Sequence, residues 1–185
     1  MSKRVLVPLA TGFEEIEAVS IIDILRRAGI DVIVAAVSSR LEVQGANGIN
    51  INSDILIEDV DSTTLDMIVL PGGWGGTDIL ATNKIVQEII KELNTQEKFV
   101  GAICAAPFAL NKAGVLKEKF TCYPSVEEQI DNTGYDSTQK VIKDKNIITS
   151  KGPATAICFA LEIVKELIGD EMYTQLKQGL LAEFC

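Results

Sequence analysis

Two hydrophobic rhythms share this chain. Short apolar runs suit buried strands, and longer stretches carry apolar residues at helical intervals. Residues 4–10 form the first short run, closed by the turn "TGFEE". Residues 14–28 follow as a helix, with Ile16, Val19, Ile22 and Leu25 at helical spacing and Gly29 as its stop. "IDVIVAAVS" is a second apolar strand, so the chain opens with the strand–helix–strand unit of a parallel sheet. A β-rich insert, "LEVQGANGININSDILI", holds the hairpin signal Asn47-Gly48. Beyond it Ile49, Ile51, Ile55 and Ile57 keep the alternating phase of one half-buried strand.

"LDMIVLPGGWGG" returns to the sheet and ends in a glycine-rich turn. Residues 84–93 read as a helix, with Ile85, Val86, Ile89, Ile90 and Leu93 on one face. "KFVGAIC" is the next strand, and the chain after Cys104 is helical in character. A hairpin around residues 143–146 has "KVI" and "NIIT" as its arms. Residues 154–168 make a long, mostly apolar helix and residues 172–181 a last one. No linker, repeat or low-complexity stretch interrupts residues 1–185, which are expected to form a single α/β domain. Its architecture is a sandwich, with helices on both faces of a largely parallel sheet.

Composition narrows the function. Of 185 residues 47% are hydrophobic, which excludes a disordered chain. A net charge of -9 works against binding a phosphate backbone, and no basic run carries interleaved aromatics, so no sequence-specific nucleic-acid binding is expected. The N-terminal apolar run is too short for a signal peptide and contains Pro8. Nothing approaches the ~20 apolar residues of a membrane span, so no membrane partner and a cytoplasmic location are expected. There is no histidine, and Cys104, Cys122, Cys158 and Cys185 have long, irregular gaps. No ordinary zinc site follows, and no metal or cofactor is expected. Free thiols are expected rather than disulfides. Cys158 reads as core, Cys185 as a frayed terminus, and Cys122 as a structural thiol, with an approach to the site of its own or a partner subunit as the lesser alternative.

Ligands of such folds gather at the carboxyl ends of the strands. Three stretches end strands there: "PLATGFEEIE", "IVLPGGWGG" and "GAICAAP". Cys104 ends a strand at a turn into a helix, which would expose it as a nucleophile with small neighbours around it. Its bland reading is a small buried hydrophobe. Glu14 and Glu15 read as solvated residues of the first helical turn. Glu17 shares a helical row with Ile21, Ile24 and Ala28, so its carboxyl faces the core and would tend to hold a proton. A rim glutamate that reaches water is the alternative. The amides of Gly72 and Gly73 suit an oxyanion. Neither nucleotide-binding glycine motif is present.

"GFEEIE", "VLPGG", "AICAAP" and "TSKGPAT", in this order, resemble the ThiJ/PfpI superfamily over essentially the whole chain. The resemblance implies a flavodoxin-like, glutamine-amidotransferase-like three-layer sandwich, usually a homodimer. It implies a reactive Cys104 hydrogen-bonded to a protonated Glu17, with Gly72, Gly73 and Ala105 around the oxyanion. It also implies glutathione-independent glyoxalase activity on methylglyoxal or glyoxal, and deglycation of their adducts on proteins and nucleotides. A redox-sensing or chaperone role through an oxidisable cysteine is the other activity it implies. Two positions depart from the pattern. Ala105 stands where protease-like members carry a histidine, and Tyr123 of "TCYP" stands where a "T-x-H-P" histidine is found. A Cys-His-Glu peptidase is therefore excluded. A third reading, a binding module with an inert buried cysteine, predicts a thiol that iodoacetamide does not reach.

Overall fold

The computed structural model describes residues 2–130 and 133–185. Seven strands form one sheet: β1 (Arg4–Leu9), β2 (Asp31–Ala36), β5 (Ile55–Leu56), β6 (Met67–Leu70), β7 (Phe99–Ile103), β8 (Val141–Asp144) and β9 (Ile147–Ser150). Their order is β5-β2-β1-β6-β7-β9-β8. Every pairing is parallel except β8 with β9, the hairpin expected around residues 143–146. The central strands are apolar throughout because both of their faces are covered. On one face Val5, Val7, Leu9, Val34, Met67 and Val69 pack against α1 (Glu15–Arg27) and α5 (Ala156–Ile168). On the other, Leu6, Ala35, Ile68, Leu70, Val100 and Ala102 meet α2 (Trp74–Thr82), α3 (Lys84–Thr95) and α4 (Pro107–Lys112). This is the expected three-layer sandwich. A separate hairpin, β3 (Glu42–Gln44) with β4 (Asn50–Asn52), turns through Asn47 and Gly48 as expected.

Four expectations are corrected. The insert does not carry one strand through Ile57. Asp54 breaks it, its carboxylate accepting from Val34 N and from Arg26, so β4 stays in the hairpin and β5 joins the main sheet. The glycine-rich turn after β6 becomes helix α2, which glycine propensity hides. Gly75 and Gly76 are there because the backbone at Gly12 and Phe13 passes against them, and a Cβ on Gly76 would stand 3.0 Å from Phe13 N. On α1 the stripe of Ile16 and Val19 points outward, 59% and 50% exposed, while Ala18, Ile21, Ile24 and Leu25 form the buried face. Finally, Cys158 and Cys185 are joined in a disulfide. Helix α6 (Asp170–Gly179) folds back along α5 and returns the terminus to it, leaving the two Cα atoms 5.1 Å apart. Cys185 is therefore tied, not frayed.

Candidate active site

The elbow is built from β7. The strand ends at Ile103, α4 starts at Pro107, and Cys104 between them has a φ of 65°. A left-handed non-glycine residue is uncommon and persists only where its surroundings hold it. Here Cys104 N donates to Ser150 O at 2.9 Å and Cys104 O accepts from Tyr123 N at 2.9 Å. Both backbone groups are thus stitched to the neighbouring chain. Cys104, Ala105 and Ala106 each pack into a different apolar cluster. The residue is buried, with 8% of its surface left exposed.

The loop after β6 comes alongside. Gly73 has φ 86°, which a residue with a Cβ rarely adopts, and its amide and that of Ala105 lie close enough to the Cys104 sulfur to pull its thiol down, against the rise that burial causes. Gly72 O accepts from Glu14 N at 2.9 Å, which joins this loop to the start of α1. A Cβ on Gly72 would lie 2.6 Å from Cys104 Cβ and 2.7 Å from Glu17 Oε2, so only glycine fits between them.

Glu17 is fully buried in the first turn of α1, whose N-terminus Glu14 caps by accepting from Glu17 N at 2.8 Å. Its Oε2 accepts from Gly72 N at 2.7 Å, while Oε1 is buried with no partner in good hydrogen-bond geometry. Burial raises the carboxyl to about 7, and the charge of Glu14 adds to the rise, against the pull of the Gly72 amide and the Cys104 contact. Burial likewise pushes the Cys104 thiol up, and a charged Glu17 would push it further. The two groups are a coupled pair, and the charge of either one disfavours ionisation of the other. With the proton on Glu17, the Coulomb push on sulfur disappears, and the Gly73 and Ala105 amides are left to act against burial alone. The acid can then donate through the otherwise unpaired Oε1.

Glu15 is a residue that the sequence reading misplaced. It is buried, and its carboxylate accepts from Asn47 N at 2.6 Å, Asn47 Nδ2 at 2.9 Å and Ile49 N at 3.4 Å. Burial alone would raise this carboxyl, but those hydrogen bonds hold it below the ordinary glutamate value. Glu15 pins the β3–β4 hairpin to the helix that carries Glu17. Tyr123 sits beside the elbow, 51% exposed, and lines a cavity of about 360 Å³ with Pro124, Lys151, Gly152 and Pro153. Cys122 stays close by but points into a cluster with Ala105, Phe120, Val126 and Ile130. Burial, and then the charge of Glu127, raise its thiol to about 12. Trp74, which follows Gly73 and was not singled out by pattern, is exposed at the same end of the sheet. No cluster of three or more potential metal ligands occurs among the described residues. No helix among them is long and apolar enough to cross a membrane.

Comparison with known proteins bears on this arrangement. The pattern of the DJ-1/PfpI family matches residues 3–166. Protein dj-1beta of Drosophila melanogaster is 40% identical over 100% of both chains. Its crystal structure superimposes with a TM-score of 0.94, covering 98% of each chain at 41% identity. A Caenorhabditis elegans relative named glutathione-independent glyoxalase DJR-1.2 is 38% identical over 90% of this chain and 89% of its own. A structure of Toxoplasma gondii DJ-1 in an oxidized form has a TM-score of 0.93 at 37% identity, covering 97% of this chain and 98% of its own.

Proposed function

The chain belongs to the DJ-1/PfpI family, and from that premise we propose that it is a cysteine-dependent, glutathione-independent glyoxalase and deglycase. Its substrates are methylglyoxal, glyoxal and their adducts on proteins and nucleotides. The observation that carries this reading is the buried Glu17 carboxyl, raised to about 7, beside a sulfur that two backbone amides cradle. The name of the worm relative points the same way.

The steps balance without an external oxidant. The Cys104 thiolate adds to the aldehyde carbon, and the carbonyl pair moves to oxygen, where the Gly73 and Ala105 amides stabilise it. Glu17 supplies the proton to that oxygen. Its carboxylate then takes the C1 proton, giving an enediolate, and returns it to C2, while the proton on the C1 oxygen passes to the C2 oxygen. C1 is oxidised and C2 reduced within one molecule, leaving a lactoyl thioester. Water cleaves that bond and frees lactate and the thiol. A thiolate needs no histidine for this, because it is strongly nucleophilic once formed.

The test is lactate formation from methylglyoxal without glutathione by wild type, Cys104→Ser and Glu17→Gln. Turnover in the wild type, lost in the first variant and reduced about a hundredfold or more in the second, is expected. Activity that survives Cys104→Ser would reject the mechanism. A second reading, a redox sensor that oxidises Cys104 without turnover, is favoured by the same amide cradle and by the oxidized form of the Toxoplasma relative. A wild type that makes no lactate but loses thiol to peroxide would select it. The exposed apolar residues Ile16 and Val19, with Ile49 exposed on the hairpin, support the family's homodimer as the assembled state.

A further inference from the structure

Trp74 is the only tryptophan in the chain, and neither main core uses it. It is 43% exposed and occupies the first position of α2, directly after Gly73. Its ring leans on Phe108, with centroids 5.5 Å apart and planes inclined by 42°. Phe108 lies one turn beyond Cys104 on α4, and Lys112 Nζ stands 4.9 Å from its ring centroid. Phe108 is thereby engaged on both sides, whereas the indole keeps open surface. Both supports are rigid. Gly73 abuts the backbone at Gly12, Phe13 and Glu14, and its carbonyl accepts from Thr77 N at 2.9 Å.

The indole is therefore placed at the elbow from two directions, by the residue that follows Gly73 in sequence and by its contact with Phe108, four residues past Cys104. We propose that Trp74, steadied by Phe108, is a specificity-determining residue whose ring forms a flat apolar wall for the substituent of the carbonyl that Cys104 attacks. It selects 2-oxoaldehydes bearing a planar group over methylglyoxal. This rests on the glyoxalase reading. A methyl group offers no planar face for the indole to stack on, while an aryl ring does. Aromatic stacking of this kind is worth roughly fivefold in binding.

The experiment compares kcat/KM for phenylglyoxal, which takes up water to give mandelate, with that for methylglyoxal, which gives lactate. Wild type, Trp74→Ala and Trp74→Phe are measured together. The expected result is a phenylglyoxal preference of about fivefold or more in the wild type, lost in Trp74→Ala and largely kept in Trp74→Phe. Disturbing the neighbouring Gly73 amide would lower both substrates alike, so an unchanged ratio in Trp74→Ala overturns the assignment. Indole fluorescence provides an arm that needs no turnover. Mandelate should quench Trp74 saturably at concentrations about fivefold below lactate, and equal or absent quenching also overturns it. A wild type inactive on both aldehydes but quenched selectively by mandelate would retire the glyoxalase reading and keep the aromatic wall.

Discussion

Glu17 has to be neutral to donate to the sulfur, and burial favours that state by raising its carboxyl to about 7. That has a cost which pH exposes. Its carboxyl rises from 4.5 to about 7 on folding, so between these values the native state binds more protons than the unfolded chain. Its contribution to stability is full below about 4.5 and is lost as pH rises through about 7, a change of roughly 3 kcal/mol. Glu17→Gln should remove that slope. Urea unfolding of both proteins should show the variant gaining about 2 to 3 kcal/mol on the wild type between pH 5 and pH 8. Depressed carboxyls such as Glu15 act in the opposite direction, but they cancel in the difference. Parallel pH profiles would mean that folding does not raise the Glu17 carboxyl. Glu17 was legible in the sequence because one helical row links it to Ile21, Ile24 and Ala28. Glu15 was not, because its partner Asn47 lies 32 residues away and no local period reports such a pairing.

Among the elements, those with a strong period were readable: β1, α1, β2, α3, β7 and α5 lie where apolar runs and helical intervals put them. Helix α2 was hidden because its glycines answer to a neighbouring backbone rather than to helix propensity. The outward stripe of α1 was misread because Ile16 and Val19 are as apolar as the residues that do face the sheet. The disulfide was hidden for a different reason, since it depends on α6 doubling back on α5. The bond closes a segment with a sequence separation of 27. By chain entropy it should contribute about 3.5 kcal/mol. Cys185→Ser should lower stability by up to that amount under air. Excess dithiothreitol should bring the wild type down to the variant and leave the variant unmoved. A wild-type unfolding midpoint indifferent to the reductant would show that α6 holds without the bond.

For the molecule as a whole, the apolar outer face of α1 and the net charge of -9 pull in opposite directions. Like-charged copies repel over a Debye length, but salt screens that repulsion, and a buried apolar face is far less affected by it. Sedimentation at physiological salt should give twice the 20.0 kDa chain mass, and Val19→Glu should return it to one chain. A wild type that sediments as a single chain would remove the homodimer from the reading.

The ends of the sheet decide what else can associate. At one end β5 has only two residues, too short to template another strand. At the other, β8 runs antiparallel to its neighbour and is flanked by charge. Lys143 on it is paired with Glu166 at 2.6 Å and lies over the Phe99 ring. Neither border offers a long, flat, uncharged row of free amides and carbonyls. Growth of the main sheet from chain to chain, the route to fibres, is disfavoured at both edges, which leaves association to the exposed apolar residues of α1 and the hairpin.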